Sequence, residues 1–257
     1  MTFIVVNFIF IILIFLISAV IARILIPRIL LISLRKKLFD IPDDRKVHKR
    51  AIPRLGGVSF FPTTLFAFCL VYTFRLLGGD SVSTLYASYL LPELLLFACG
   101  MTLLYLTGIA DDLVGVRYRQ KFVIQIFCAS LFPLSGLWIN DLYGLFGIQE
   151  LPFYVGMPFT VLLVVFITNA INLIDGIDGL ASGLSSVALL IFTFLFMDKG
   201  LWSYAMLASG TLGVLVPFFY YNVFGSAERA RKIFMGDTGS LTLGYTLSFL
   251  AIKYSQL

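Results

Sequence analysis

Eight apolar runs, near residues 3–26, 57–77, 91–110, 122–139, 158–174, 180–197, 201–221 and 240–256, decide what this chain can fold into. Each matches, or nearly so, the roughly 20 residues that a helix needs to cross a hydrocarbon core about 30 Å thick. Each is also uniformly apolar, where a barrel strand would alternate over a shorter stretch. The expectation is an all-α, polytopic integral membrane protein of about eight transmembrane helices, with a single transmembrane domain over residues 1–257. Hydrophobic residues make up 60% of the chain and charged ones 13%, so too little polar chain lies between the runs for a separate soluble core. That excludes a nucleic-acid module and a secreted disulfide scaffold. Cys69, Cys99 and Cys128 each sit inside an apolar run and read as small buried hydrophobes. The first run begins with no basic stretch ahead of it, so it reads as a span starting outside rather than a cleaved signal peptide.

The cations orient this bundle. Arg23 to Arg54, Arg117 to Lys121 and Arg229 to Lys232 follow the first, third and seventh runs, and together they hold 16 of the 19 Lys and Arg residues. By the positive-inside rule that side is cytoplasmic. Lipid attraction and orientation account for most of these charges. They do not account for carboxylates on the same side: Asp40, Asp43, Asp44, Asp111, Asp112, Asp175, Asp178, Glu228 and Asp237 fall in the same connections or at their edges. Carboxylates at span ends are costly to keep and call for a chemical reason.

Four inner segments carry that reason. PDDRKVHKRAIPRLGG, residues 42–57, offers Arg45, Lys46 and Arg54 to an anion and contains His48, the chain's single histidine. GIADDLVGVRYRQK, residues 108–121, closes a span with Asp111 and Asp112. Neighbouring carboxylates repel one another unless a metal or a cation compensates, and a helix C-terminus favours cations instead. In TNAINLIDGIDGLASG, residues 168–183, Asn169, Asn172, Asp175 and Asp178 recur every three residues, which on a helix would align them on one face, while Gly176 and Gly179 permit a tight turn. KIFMGDTGS, residues 232–240, sets Asp237 at the start of the last run, where a helix cap is its ordinary role. Together the four describe a hard-cation site of oxygen ligands bordered by Lys and Arg. That donor set suits Mg²⁺, which takes one or two protein oxygens plus phosphate oxygens, and leads to phosphate chemistry on a lipid.

In that order and on alternate connections, DRKVHKRAIPRLGG, GIADDLVGVRYRQK, NAINLIDGIDGLASG and IFMGDTGSL resemble the signatures of the polyprenyl-phosphate N-acetylhexosamine-1-phosphate transferases (glycosyltransferase family 4), and more closely the GlcNAc-type branch. The resemblance implies a bacterial inner-membrane enzyme with its active face in the cytoplasm. It would move a sugar phosphate from a UDP-sugar to undecaprenyl phosphate, with Mg²⁺ and release of UMP, to initiate a cell-envelope glycan such as lipopolysaccharide O-antigen or teichoic acid. It implies Asp111 and Asp112 as the catalytic acidic pair and Asn172 and Asp237 as metal ligands. Asp175, Asp178 and Asn222 become site-lining residues and Lys121 a contact to the substrate's phosphates, beside the Arg45 and Arg54 that the first segment itself offers to the substrate. Expected partners are the two substrates and membrane lipid, with room for a homodimer and none for nucleic acid. Family members continue into further spans and a late His-bearing loop, so the expectation for this 257-residue chain alone is little turnover, with an inactive fragment as the alternative. A transporter or flippase would put its carboxylates at mid-membrane rather than at the rim. A CDP-alcohol phosphotransferase would need Ala-Arg where Gly179-Leu180 stands.

Overall fold

The computed structural model describes residues 2–40, 52–78, 81–226 and 231–257. Eight α-helices fill it: α1 (Thr2–Lys36), α2 (Phe60–Leu77), α3 (Ser81–Val114), α4 (Tyr118–Leu134), α5 (Phe153–Ile174), α6 (Leu180–Asp198), α7 (Trp202–Val223) and α8 (Gly236–Ser255). Every apolar run has become one of them, and six are long and apolar enough to cross a membrane; α4 and α8 are not. The chain is a multi-pass membrane protein. Two helices run well past their apolar stretch. Helix α1 continues through Pro27 to the basic pair Arg35 and Lys36, which complement its C-terminal dipole, and α3 starts ten residues ahead of its run.

Apolarity sorts with position. On α1, Ile4, Leu16, Val20 and Ile24 are exposed to what would be lipid, whereas α8 is almost wholly buried among its neighbours. A helix that meets protein on every side has no need of a lipid-compatible surface, and α8 carries Thr238, Ser240, Thr242, Thr246 and Ser248 in its buried length. Most of their hydroxyls donate to backbone carbonyls one turn earlier on the same helix, including Thr242 to Thr238 and Ser248 to Gly244, both at 2.8 Å. Helices α3, α5 and α6 pack around α8, and α7 lies against α1, α2 and α6. Cys128 is buried as expected, but Cys69 and Cys99 are exposed, because the faces of α2 and α3 that carry them point away from the protein.

Before α2, β1 (Phe39–Asp40) pairs antiparallel with β2 (Ile52–Pro53), and a 3₁₀ turn, Leu55–Ser59, follows. This segment is laced to the stretch preceding α8. Phe234 N–H donates to Pro53 O at 2.8 Å, Gly56 N–H to Phe234 O at 2.9 Å and Gly57 N–H to Met235 O at 2.8 Å. The end of the first motif is thereby fixed beside the fourth, although about 180 residues separate them in sequence.

Candidate active site

The end of α3 meets the beginning of α8, and Asp112 makes the junction. Its Oδ1 accepts the Asp237 N–H at 2.8 Å, and its Oδ2 accepts the Thr238 N–H at 2.9 Å and the Thr238 hydroxyl at 2.6 Å. The Gly236 N–H points to the Asp175 carboxylate. These are donors that α8 cannot satisfy internally, at the end of the helix that carries partial positive charge. The two carboxylates from α3 and from just beyond α5 therefore answer the charge mismatch that an acidic α3 C-terminus presents. Gly236 has φ +73°, and a Cβ there would lie 2.7 Å from both Asp112 oxygens, so the junction depends on glycine.

Asp237 does not cap its own helix. Its Oδ1 accepts a hydrogen bond from Asn172 Nδ2 at 3.0 Å, and its Oδ2 is ion-paired with the Lys121 ammonium. Lys121 Nζ also lies 3.2 Å from Asp111 Oδ2, while Asp111 Oδ1 accepts the Val116 N–H at 2.5 Å. Helices α3, α4, α5 and α8 thus each contribute a side chain to one cluster. It is sheltered: side-chain exposure is 15% for Lys121, 17% for Asp111 and 25% for Asp237. Ser240 extends it, its hydroxyl accepting from Asn172 Nδ2 at 2.8 Å.

Past α5 the expected polar ladder breaks. Asn169 and Asn172 lie on the helix, but α5 stops at Ile174, and Asp175 and Asp178 sit in a tight turn that ends at Gly179, φ +75°. Burial, then the neighbouring Asp112, Asp237 and Asp178 carboxyls, push the Asp175 pKa well above the usual carboxylate range. Asp178, with 43% of its side chain exposed, is ion-paired with Lys232 at the rim. Asn222, expected to line the site, is 3% exposed instead. Its Oδ1 accepts the Gly179 N–H at 2.7 Å and its Nδ2 donates to Ile233 O at 3.0 Å, so its amide is spent tying the 175–179 turn to the strand-like lead-in of α8. Arg54 precedes the 3₁₀ turn with its carbonyl against Gly236. Arg45 and His48 lie outside the described residues.

Thr238, Ser240 and Gln125 were not singled out by sequence reasoning. The first two stand in the GDTGS segment itself, and the polar spacing from Asp237 was the signal available for them. Among the described residues no group of three or more His, Cys, Asp or Glu is disposed to hold a metal by itself. The donor set at Asp111, Asp237 and Asn172 nonetheless fits a hard divalent cation that keeps open positions for phosphate oxygens, since such an ion needs only one or two protein carboxylates. Lys121 supplies the positive charge that those carboxylates face here.

Residues 94–255 match glycosyl transferase family 4. A Bacillus subtilis (strain 168) protein named probable undecaprenyl-phosphate N-acetylglucosaminyl 1-phosphate transferase is 32% identical over 222 residues, which cover 86% of this chain and 56% of the relative. The undecaprenyl-phosphate alpha-N-acetylglucosaminyl 1-phosphate transferase of Yersinia pestis is 31% identical over 234 residues, 88% of this chain and 58% of its own length. That of Escherichia coli (strain K12) is 29% identical over 231 residues, with 88% and 57% covered. The chain spans somewhat more than half the length of these relatives.

Proposed function

The chain belongs to glycosyl transferase family 4, and on that premise we propose that it moves a sugar 1-phosphate, GlcNAc-1-phosphate first among them, from a UDP-sugar to undecaprenyl phosphate at the cytoplasmic face of a bacterial inner membrane. The names of its relatives support the donor and acceptor. The observation that carries the proposal is the convergence of Asp111, Asp112, Asn172, Asp175 and Asp237 with Lys121 around the N-terminus of α8. A helix N-terminus bordered by a lysine and by oxygen donors for a hard cation is a site for phosphate groups.

In the reaction, an oxygen of the lipid phosphate attacks the sugar-linked phosphorus of the UDP-sugar, a new P–O bond forms, and the bond to the bridging oxygen of UMP breaks, with that electron pair leaving on UMP. Both reactants are anions, so positioning and charge neutralisation dominate the barrier. Asp237 and Asn172 would hold Mg²⁺, which when bound supplies charge neutralisation to the diphosphate. Lys121 stands where its ammonium can be transferred from the carboxylates to an incoming phosphate. Asp111 is the base for the fraction of lipid phosphate that still carries a proton, a small contribution at neutral pH because that pKa is about 6. Asp112, which accepts three hydrogen bonds from α8, is the less available of the pair for that proton, and Asp111, facing the movable Lys121 ammonium, is the more available.

The test supplies the purified chain, in undecaprenyl-phosphate-containing vesicles, with radiolabelled UDP-GlcNAc and Mg²⁺. The expected result is slow formation of a lipid-linked diphosphate sugar with an equal amount of UMP, abolished by chelator and restored by Mg²⁺. Vesicles that yield neither product under these conditions would count against the assignment.

A further inference from the structure

One polar contact near the site has no role in the chemistry just described. Gln125 on α4 is 3% exposed, and its amide meets that of Asn169 on α5 in both directions: Asn169 Nδ2 donates to Gln125 Oε1 at 2.7 Å, and Gln125 Nε2 donates to Asn169 Oδ1 at 3.3 Å. Asn169 Nδ2 also donates to Val165 O at 2.8 Å, which fixes that side chain on its own helix. Gln125 lies four residues beyond Lys121 and Asn169 three residues before Asn172, so on each helix the amide sits one turn below the site residue and on the same face.

We infer that the reciprocal Gln125–Asn169 amide pair is a positioning element, which fixes the register of α4 against α5 and so holds the Lys121 ammonium on Asp111 and Asp237. The rest of this part of α4 gives little else to fix it. Phe122, Val123, Ile126 and Phe127 are exposed on its outer faces, where contacts are apolar and non-directional and would tolerate rotation or sliding. Beyond Gln125, the next directional contact is the Tyr245 hydroxyl of α8 donating to Cys128 O at 2.9 Å, one turn further from the site on the same face of α4. Two amides that each donate and accept hold their helices at one separation and register, and burial of Gln125 limits the water that competes for them. Lys121 reaches its carboxylates at the end of a long flexible side chain, so its head group depends on where the α4 backbone stands. Turnover enters this inference only through the transferase reading, whereas the geometry of Lys121 does not depend on that reading.

The experiment uses the full chain in detergent with four variants: Gln125→Leu, Asn169→Leu, both together, and the exchanged pair Gln125→Asn with Asn169→Gln. Acylation of Lys121 by a water-soluble N-hydroxysuccinimide ester is read by mass spectrometry against exposed Lys199 as internal reference, alongside thermal midpoint, kcat and KM. Gln125→Leu should raise Lys121 acylation by about fivefold or more, as local order around the amine is lost. The double leucine variant leaves no amide unpaired and should regain the wild-type midpoint while Lys121 stays reactive. The exchanged pair should restore wild-type acylation. In turnover, the leucine variants should lose about tenfold in kcat with KM for the UDP-sugar within about twofold, the signature of a misplaced group rather than lost binding. Wild-type acylation at Lys121 in the folded double leucine variant would overturn the inference. If the unaltered chain itself fails to turn over, the transferase reading fails while the acylation comparison still decides this one.

Discussion

Asp111 and Asp112 are neighbours with different work. Asp112 is a cap supplied to α8 by another helix, accepting two backbone N–H groups and a hydroxyl, while Asp111 faces Lys121. Asp112→Ala should therefore lower stability by roughly 2–4 kcal/mol, since hydrogen bonds to a charged acceptor are among the stronger ones and their donors would be left buried. Asp111→Asn should stay within about 1 kcal/mol in stability but lose at least about tenfold in turnover, near 1.4 kcal/mol of barrier. Thermal midpoints in detergent set beside initial rates separate the two, and equal midpoints for both variants would contradict the division of roles. Asp175 gives a pH test. Its folded pKa is raised, so the folded state holds a proton that the unfolded state releases near about 4, and stability falls as pH rises from there toward the folded value. In chelator, Asp175→Asn should be more stable than the parent at neutral pH, with the advantage shrinking as the buffer is taken down toward pH 4. These distinctions were not legible in the sequence. An adjacent pair of aspartates reads as two copies of one group until the donors, 126 residues away at Thr238, are seen to engage one of them.

Among the elements, α8 departs furthest from what hydropathy leads one to expect. The apolar runs located every helix, because a run long enough to cross a bilayer has few other ways to satisfy its backbone. Hydropathy says nothing about which helix is enclosed by its neighbours, and α8, rich in Gly, Ser and Thr, is the one that α3, α5 and α6 pack around. Most of its Ser and Thr hydroxyls are satisfied by its own carbonyls, so small polar residues allow close helix approach without leaving those groups unpaired. The ladder from Asn169 to Asp178 was half legible: its first two members share a helix face, but the chain turns at Gly179, and the spacing of three then loses its meaning. The packing of α3 on α8 yields a prediction. A Cβ at Gly108, one turn before Asp112 on α3, would meet the backbone of Thr238, which Asp112 caps. Gly108→Ala should cost about 1–3 kcal/mol by overpacking and should lower turnover by pushing α8 away from Asp112. Gly183→Ala, inside α6 with an ordinary backbone conformation and its nearest neighbour 3.4 Å from a Cβ, controls for glycine loss. If the two behaved alike, contact between α3 and α8 would not be what holds the site.

For the whole molecule, the helices alternate in direction, and the two ends of the bundle differ in kind. One end gathers the close of α3, the start of α4, the close of α5 and the start of α8, with Lys121, Lys232 and the acidic cluster. At the other, two of the three cations are paired inside the protein, and Lys199 is exposed. Lys253 lies 2.8 Å from Glu93, whose other oxygen takes the Tyr204 hydroxyl, and Arg75 Nε donates to Asn7 Oδ1 at 2.8 Å. Paired cations away from the aqueous rim contribute little to orientation, which strengthens the bias of 16 to 3 toward the site end. The site end should therefore face the cytoplasm, where a nucleotide sugar is made and where the anionic leaflet meets the basic connections. Val114, 88% exposed at the site end, and Glu150, exposed in the connection before α5, are reporters that touch neither the cluster nor the outer ion pairs. In a background with Cys69, Cys99 and Cys128 replaced by alanine, Glu150→Cys should react with an impermeant maleimide added to intact cells. Val114→Cys should react only after the membrane is opened. The reverse pattern would turn the molecule over, and with it the side from which the proposed nucleotide sugar would arrive.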